Sequence, residues 1–222
     1  QMMNVVDDVL VIEEKGIYSV EKFLMARRLM YWQAYLHKTS LVAETILTKL
    51  LKRAKDLTQK GVVLPASEAL QFFMKNKVEL DDFNHSVLHQ FSQLDDFDVV
   101  GALKSWQNHD DFILSSLSKM IINRDLLKIK LSSEKFSADE IQNLIEQFSK
   151  ESNISQHEVH YFIFKGKIKN QAYSKDAEPI RIWKKDKTIE DVAEASDQLN
   201  LKALSKPVTK YYLCYPKQLL EK

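Results

Sequence analysis

Four side chains between residues 27 and 38 combine types that can hold an anion at a spacing that brings them together. At about 100° per residue, Arg27, Tyr31, Tyr35 and Lys38 fall within roughly 80° of one another on a helix, with the small Ala34 beside them. A guanidinium and an ammonium can grip phosphate oxygens, and phenols can stack on a base or sugar while donating hydrogen bonds. The same stripe also suits an amphipathic helix whose tyrosines are half-buried and whose cations are merely solvated.

Other reactive side chains offer less. His85 and His89 share a helix face, but the residues between them supply no general base. His157 and His160 fall on opposite faces if their segment is a strand. The acidic groups Asp81-Asp82 and Asp95-Asp96 suit helix N-termini. Lys49, Lys52, Arg53 and Lys55 are read as cations complementing a helix C-terminus, and the lysines of Lys165–Gln171 as solvating a hairpin loop. Cys214 stands alone, so it forms no disulfide within the chain and reads as a buried small hydrophobe in a cytoplasmic protein. The 222 residues contain only 4 Gly, spaced too widely for any phosphate-cradling glycine loop. A net charge of +1 offers no global attraction for nucleic acid or an anionic membrane. No apolar run is long enough for a membrane span.

The elements that must position the four residues follow from periodicity. Val9–Glu13 reads as a strand. Ser19 reads as an N-cap, and the absence of Gly and Pro from Ser19 to Lys60 predicts one unbroken helix over about 19–60, stopped by Gly61. Shorter helices are predicted after Pro65 and Ser67 and over 80–91, 97–107 and 111–122, the last with Asp110 as its N-cap. Beyond residue 123 the order becomes strand 126–131, helix 137–150, strand 159–164, strand 180–183, helix 188–195 and strand 208–215. The fold class is therefore mainly α, a helical bundle with one long helix, followed by an α+β part read as a βαββαβ ferredoxin-like module. The expected domains are 1–123 and 124–222.

The run from Glu14 to Ser19 and then Ala26-Arg27-Arg28-Leu29-Met30-Tyr31-Trp32-Gln33-Ala34-Tyr35-Leu36-His37-Lys38 resembles HD-domain phosphohydrolases related to the deoxynucleoside triphosphate triphosphohydrolases. Leu94–Asp98 and Ile122–Lys128 are similar to the same proteins. The resemblance implies that Arg27 contacts the triphosphate, that Tyr35 lies near sugar and base, and that Lys38 matches a family lysine. Tyr31 stands where the best-known members carry a histidine, and Leu36 replaces a polar residue that helps to read the sugar. It further implies a full-length enzyme in which a metal-activated water attacks the α-phosphorus and releases deoxynucleoside and triphosphate. The His, His-Asp and Asp ligands of that divalent metal (Mg, Mn, Fe, Ni or Zn) belong upstream, in an HD core absent from these residues. His109-Asp110 lacks the helical company such a site needs. The chain is thus read as the C-terminal portion of a phosphohydrolase, inactive alone, with a homo-oligomer and a nucleotide substrate or effector as partners. A non-catalytic oligomerisation or regulatory module is the alternative, and nucleic-acid binding rests only on the two lysine-rich spots.

Overall fold

The computed structural model describes residues 2–170, 173–174, 179–197 and 207–220. The chain forms two compact units, each assembled from three segments: 1–40, 131–135 and 166–212 make unit 1, and 41–130, 136–165 and 213–222 make unit 2. The division follows long-range packing rather than a single cut near residue 123.

Unit 1 starts with a hairpin of β1 (Met3–Val6) and β2 (Val9–Glu13). Asp7 and Asp8, both at positive φ, turn it in the manner of a two-residue primed hairpin. After a 3₁₀ turn over Glu14–Gly16, α1 spans Ile17–Met30, so the helix begins two residues before the predicted cap Ser19. Strand β5 (Arg181–Trp183) pairs parallel with β2, Ile12 opposite Ile182, and β6 (Ile189–Asp191) pairs antiparallel with β5. The resulting sheet has the order β1-β2-β5-β6. Helix α9 (Val192–Ala195) follows, capped by Asp191. Ile17, Val20 and Leu24 from α1 form the core with Tyr173, Ile182, Val192 and Ala193. Tyr173 is anchored there, accepting a hydrogen bond from the Ile180 N–H and donating one to Asp191; burial and that carboxylate push its phenol up to about 12.

Unit 2 is mostly helical. Helix α2 (Lys38–Gln59) buries Val42, Ile46, Leu50 and Ala54, a strict four-residue stripe. It ends where Gly61 takes φ of 89° and the Val62 N–H reaches back to the Leu57 carbonyl, a glycine C-cap of the Schellman type. Then come α3 (Glu68–Lys75, capped by Ser67), α4 (His85–Ser92, capped by Asn84), α5 (Asp96–Trp106) and α6 (Phe112–Ile122). The cap of α6 is Asp111, not Asp110: its carboxylate accepts from the Leu114 N–H at 2.8 Å. Helices α7 (Ala138–Ser152, capped by Ser137) and α8 (Gln156–Val159) complete the set. Trp106 and Phe162 are fully buried, the Trp106 indole donating to the Pro65 carbonyl at 2.9 Å.

The ferredoxin-like reading of residues 124–222 is corrected by the strand pairing. Strands β3 (Lys128–Ser132), β4 (Phe164–Asn170) and β7 (Val208–Tyr215) form a sheet of order β3-β7-β4, while β5 belongs to the sheet of β1 and β2. Strand β4 replaces the hairpin loop expected over Lys165–Gln171, of which Gln171 lies outside the described residues. Of the predicted strand 159–164, Val159 ends α8, residues 160–163 turn, and Phe164 alone is strand, as the first residue of β4. Among the described residues no helix is long and apolar enough to cross a membrane.

Candidate functional site

The predicted unbroken helix is two helices. At Tyr31–Tyr35 the backbone widens into a π-turn, in which the Leu36 N–H reaches the Tyr31 carbonyl at 2.7 Å. Leu36 then leaves helical geometry (φ −100°, ψ 18°), and α2 starts afresh at Lys38. Neither Gly nor Pro is involved. One extra residue is accommodated in the turn, and the His37 ring accepts the Thr39 N–H at 3.3 Å, satisfying one of the orphan donors of the new helix start.

This break decides which predicted residues meet. Arg27 and Tyr31 stand one turn apart on continuous backbone, and the guanidinium carbon lies 5.8 Å from the Tyr31 ring centroid, within cation–π range. Tyr35 closes the π-turn; its side chain lies outside the described residues. Lys38 follows the break, so 100° arithmetic from Arg27 no longer sets its direction. It is exposed, in the first turn of α2, where the helix dipole disfavours a cation. Neither Arg27 nor Lys38 has an ion pair among the described residues. Trp32, off the predicted stripe, is half-buried under Lys210, whose ammonium sits 4.5 Å from the ring centroid. No pattern in the sequence links residues so distant.

The other polar groups are engaged structurally. Arg53 donates to Asp111 through Nε at 3.2 Å and Nη2 at 2.5 Å and reaches Glu158 at 3.4 Å. The Asp111 hydrogen bond foremost, with the charges of Asp111, Tyr161 and Glu158, outweighs burial and raises the Arg53 pKa. Burial opposes ionisation of Asp111, yet Arg53 and the Leu114 N–H hold its carboxyl below the ordinary range. Lys55 donates to the Phe73 and Asn76 carbonyls, both at 3.0 Å. Lys49 lies 4.9 Å from the Phe164 ring centroid, and burial, reinforced by Lys52, lowers its pKa. Tertiary contacts within unit 2, rather than the dipole of α2, therefore explain these cations. His157 and His160, one helical turn apart rather than on opposite strand faces, bring their ring centroids to 5.4 Å. Cys214 is fully buried, and burial pushes its thiol up to about 12. Among the described residues no three His, Cys, Asp or Glu side chains converge in a group that could hold a metal ion.

Residues 1–64, which include the whole candidate stretch, match the HD associated region family. Over 129 residues the chain is 35% identical to the Bacillus subtilis protein YwfO, covering 58% of this chain and 28% of that protein. A crystal structure of a phosphohydrolase from Bacteroides thetaiotaomicron is similar over 97% of this chain and 54% of its own, with 49% identity and a TM-score of 0.89. A hypothetical protein from Aquifex aeolicus shares the fold, at 17% identity and a TM-score of 0.61, over 99% of this chain and 47% of its own. The chain thus spans about half the length of the solved relatives, and the match to the HD associated region family is confined to its first third.

Proposed function

We propose that this chain is the C-terminal portion of an HD-type phosphohydrolase that converts a deoxynucleoside triphosphate and water to a deoxynucleoside and triphosphate. The chain supplies a side-chain anion site, and an HD core outside it supplies the divalent metal. The similarity to a phosphohydrolase over nearly the whole chain supports the reaction class. One observation carries the site. Two cations within a dozen residues lack ion pairs among the described residues, and one of them sits where its own helix dipole opposes it. An anion bridging the two would gain charge-assisted hydrogen bonds and relieve that dipole opposition.

In this reading Arg27, held over Tyr31, grips the triphosphate bidentately, and Tyr31 donates to a phosphate or leaving-group oxygen. Tyr35 is assigned to sugar and base by the family resemblance alone, its side chain lying outside the described residues. Lys38 and the first N–H groups of α2 add positive potential at the newly opened helix start. In this reading the HD core supplies the ligands of the metal, and this chain contributes binding and orientation.

The test is incubation of the full-length protein with Mg²⁺ or Mn²⁺ and a panel of dNTPs, reading tripolyphosphate release. Arg27→Ala is expected to lower kcat/KM by about 10- to 150-fold, the loss of one charged hydrogen-bonding group worth roughly 1.5–3 kcal/mol. Absence of tripolyphosphate from every dNTP would reject the activity, and unchanged kinetics in Arg27→Ala would reject the site.

A further inference from the structure

A π-turn needs outside support that the α-helix around it does not, because it packs one residue more than the regular register allows. Within Tyr31–Leu36, Gln33 and Ala34 are exposed, whereas Tyr31, Trp32 and Leu36 are half-buried. Trp32 takes its hold from far along the chain: the Lys210 ammonium, on β7, lies 4.5 Å from its ring centroid. Lys210 is itself half-buried, and its ammonium has no ion pair or hydrogen bond among the described residues, so no carboxylate draws it off the indole. It is presented by the middle strand of the sheet β3-β7-β4, which is hydrogen-bonded on both sides. Residues 32 and 210 belong to the same compact unit.

We propose that Lys210 is a positioning residue for the anion site: by holding the Trp32 ring it keeps the π-turn open, and so sets the span between the two cations, Arg27 before the turn and Lys38 after it. The inference rests on the proposed function, to which it adds a residue that no motif marks. The chain of contacts is short. Lys210 rests on Trp32, the neighbouring Tyr31 closes the turn by accepting from the Leu36 N–H at 2.7 Å, and the Arg27 guanidinium carbon lies 5.8 Å from the Tyr31 ring centroid. Among aromatic faces an indole attracts a cation most strongly, which makes this contact a suitable clamp for a turn that has left the α-helical ladder. Without the ammonium the extra residue loses its hold, and the directions of Arg27 and Lys38 relative to each other are no longer fixed. An anion gripped by both then pays in ordering for what the folded chain supplies beforehand.

The kinetics of tripolyphosphate release by the full-length protein test it, with dNTP as substrate and Mg²⁺ or Mn²⁺ present. Lys210→Met keeps an apolar stem and removes the charge; kcat/KM is expected to fall about 5- to 30-fold, the range between an exposed and a desolvated cation–π contact. Lys210→Arg, whose guanidinium also stacks on an indole, should recover most of the loss. Added to Arg27→Ala, Lys210→Met should cost less than twofold more, because a residue that acts through the span between two cations has nothing left to position once one is gone. Unchanged kcat/KM in Lys210→Met, an arginine variant as impaired as the methionine one, or the full loss repeated in the Arg27→Ala background would each overturn the proposal. The last is what a merely structural role would give. Should Lys210→Met fail to fold, Trp32→Phe, which weakens the same contact while keeping a ring, should lower kcat/KM in the wild-type background and not in Arg27→Ala, and the opposite result overturns the proposal. A wild-type protein that releases no tripolyphosphate from any dNTP would instead reject the proposed function, and this inference with it.

Discussion

Asp111 does three things at once, and its neighbours explain why it does them rather than Asp110. It caps α6, pairs with Arg53, and its own N–H donates to the His109 ring at 2.9 Å. Either aspartate can cap a helix, so the sequence has no local preference. The choice is made by Arg53, 58 residues earlier. Both side chains are about one-seventh exposed, at 14% and 16%, so removing one leaves a poorly hydrated charge. Asp111→Ala should cost about 2–4 kcal/mol in urea unfolding, from the lost cap and the stranded Arg53. The folded carboxyl titrates below its unfolded value. The stability it contributes is therefore complete above about pH 4 and is lost as pH falls through the folded pKa. The gap between wild type and Asp111→Asn should accordingly shrink in melts below that pH. Serine caps divide in the same way: Ser67 opens the helix it was expected to open, whereas Ser19 lies inside α1, whose start two residues earlier no cap residue marks.

The elements show where periodicity succeeds and where it stops. Val9–Glu13 and Val208–Tyr215 form strands with the predicted bounds because β-branched and aromatic residues concentrate between turn residues. The candidate residues Arg27 and Tyr31 were legible as neighbours for a similar reason, being one turn apart in an ordinary helix. The π-turn was not legible, because an inserted residue leaves no mark in composition. Likewise Leu-Asp-Asp-Phe occurs twice, at 80–83 and 94–97, yet the first copy makes a 3₁₀ turn and the second opens α5. Deleting Ala34 should restore α-helical register and swing Lys38 by about 100° relative to Arg27. Under the proposed function, dNTP turnover should fall at least tenfold while helical content by circular dichroism is unchanged. Gly166 is a second constraint at this scale, because a Cβ there would run into the Tyr212 ring of β7. Gly166→Ala is expected to destabilise by about 1–3 kcal/mol, read as a lower melting temperature.

At the scale of the molecule, pairing of distant segments overrides the order of elements along the chain. A βαββαβ succession is compatible with a ferredoxin-like sheet, and nothing in residues 180–183 announces that they pair with residues 12–13 instead. Ile182, fully buried where β5 joins β2, holds that junction. Ile182→Ala should cost about 2–5 kcal/mol, measured by denaturant unfolding. The β2–β5 pairing also bears on biosynthesis. While the ribosome is still translating the helices of unit 2, the hairpin and α1 have left the tunnel without the strand that completes their sheet. Contacts of such wide sequence separation form slowly, and the unpaired edge of β2 stays open meanwhile. Nascent chains halted before residue 180 should therefore leave β2 open to protease, whereas chains released after residue 215 should protect it.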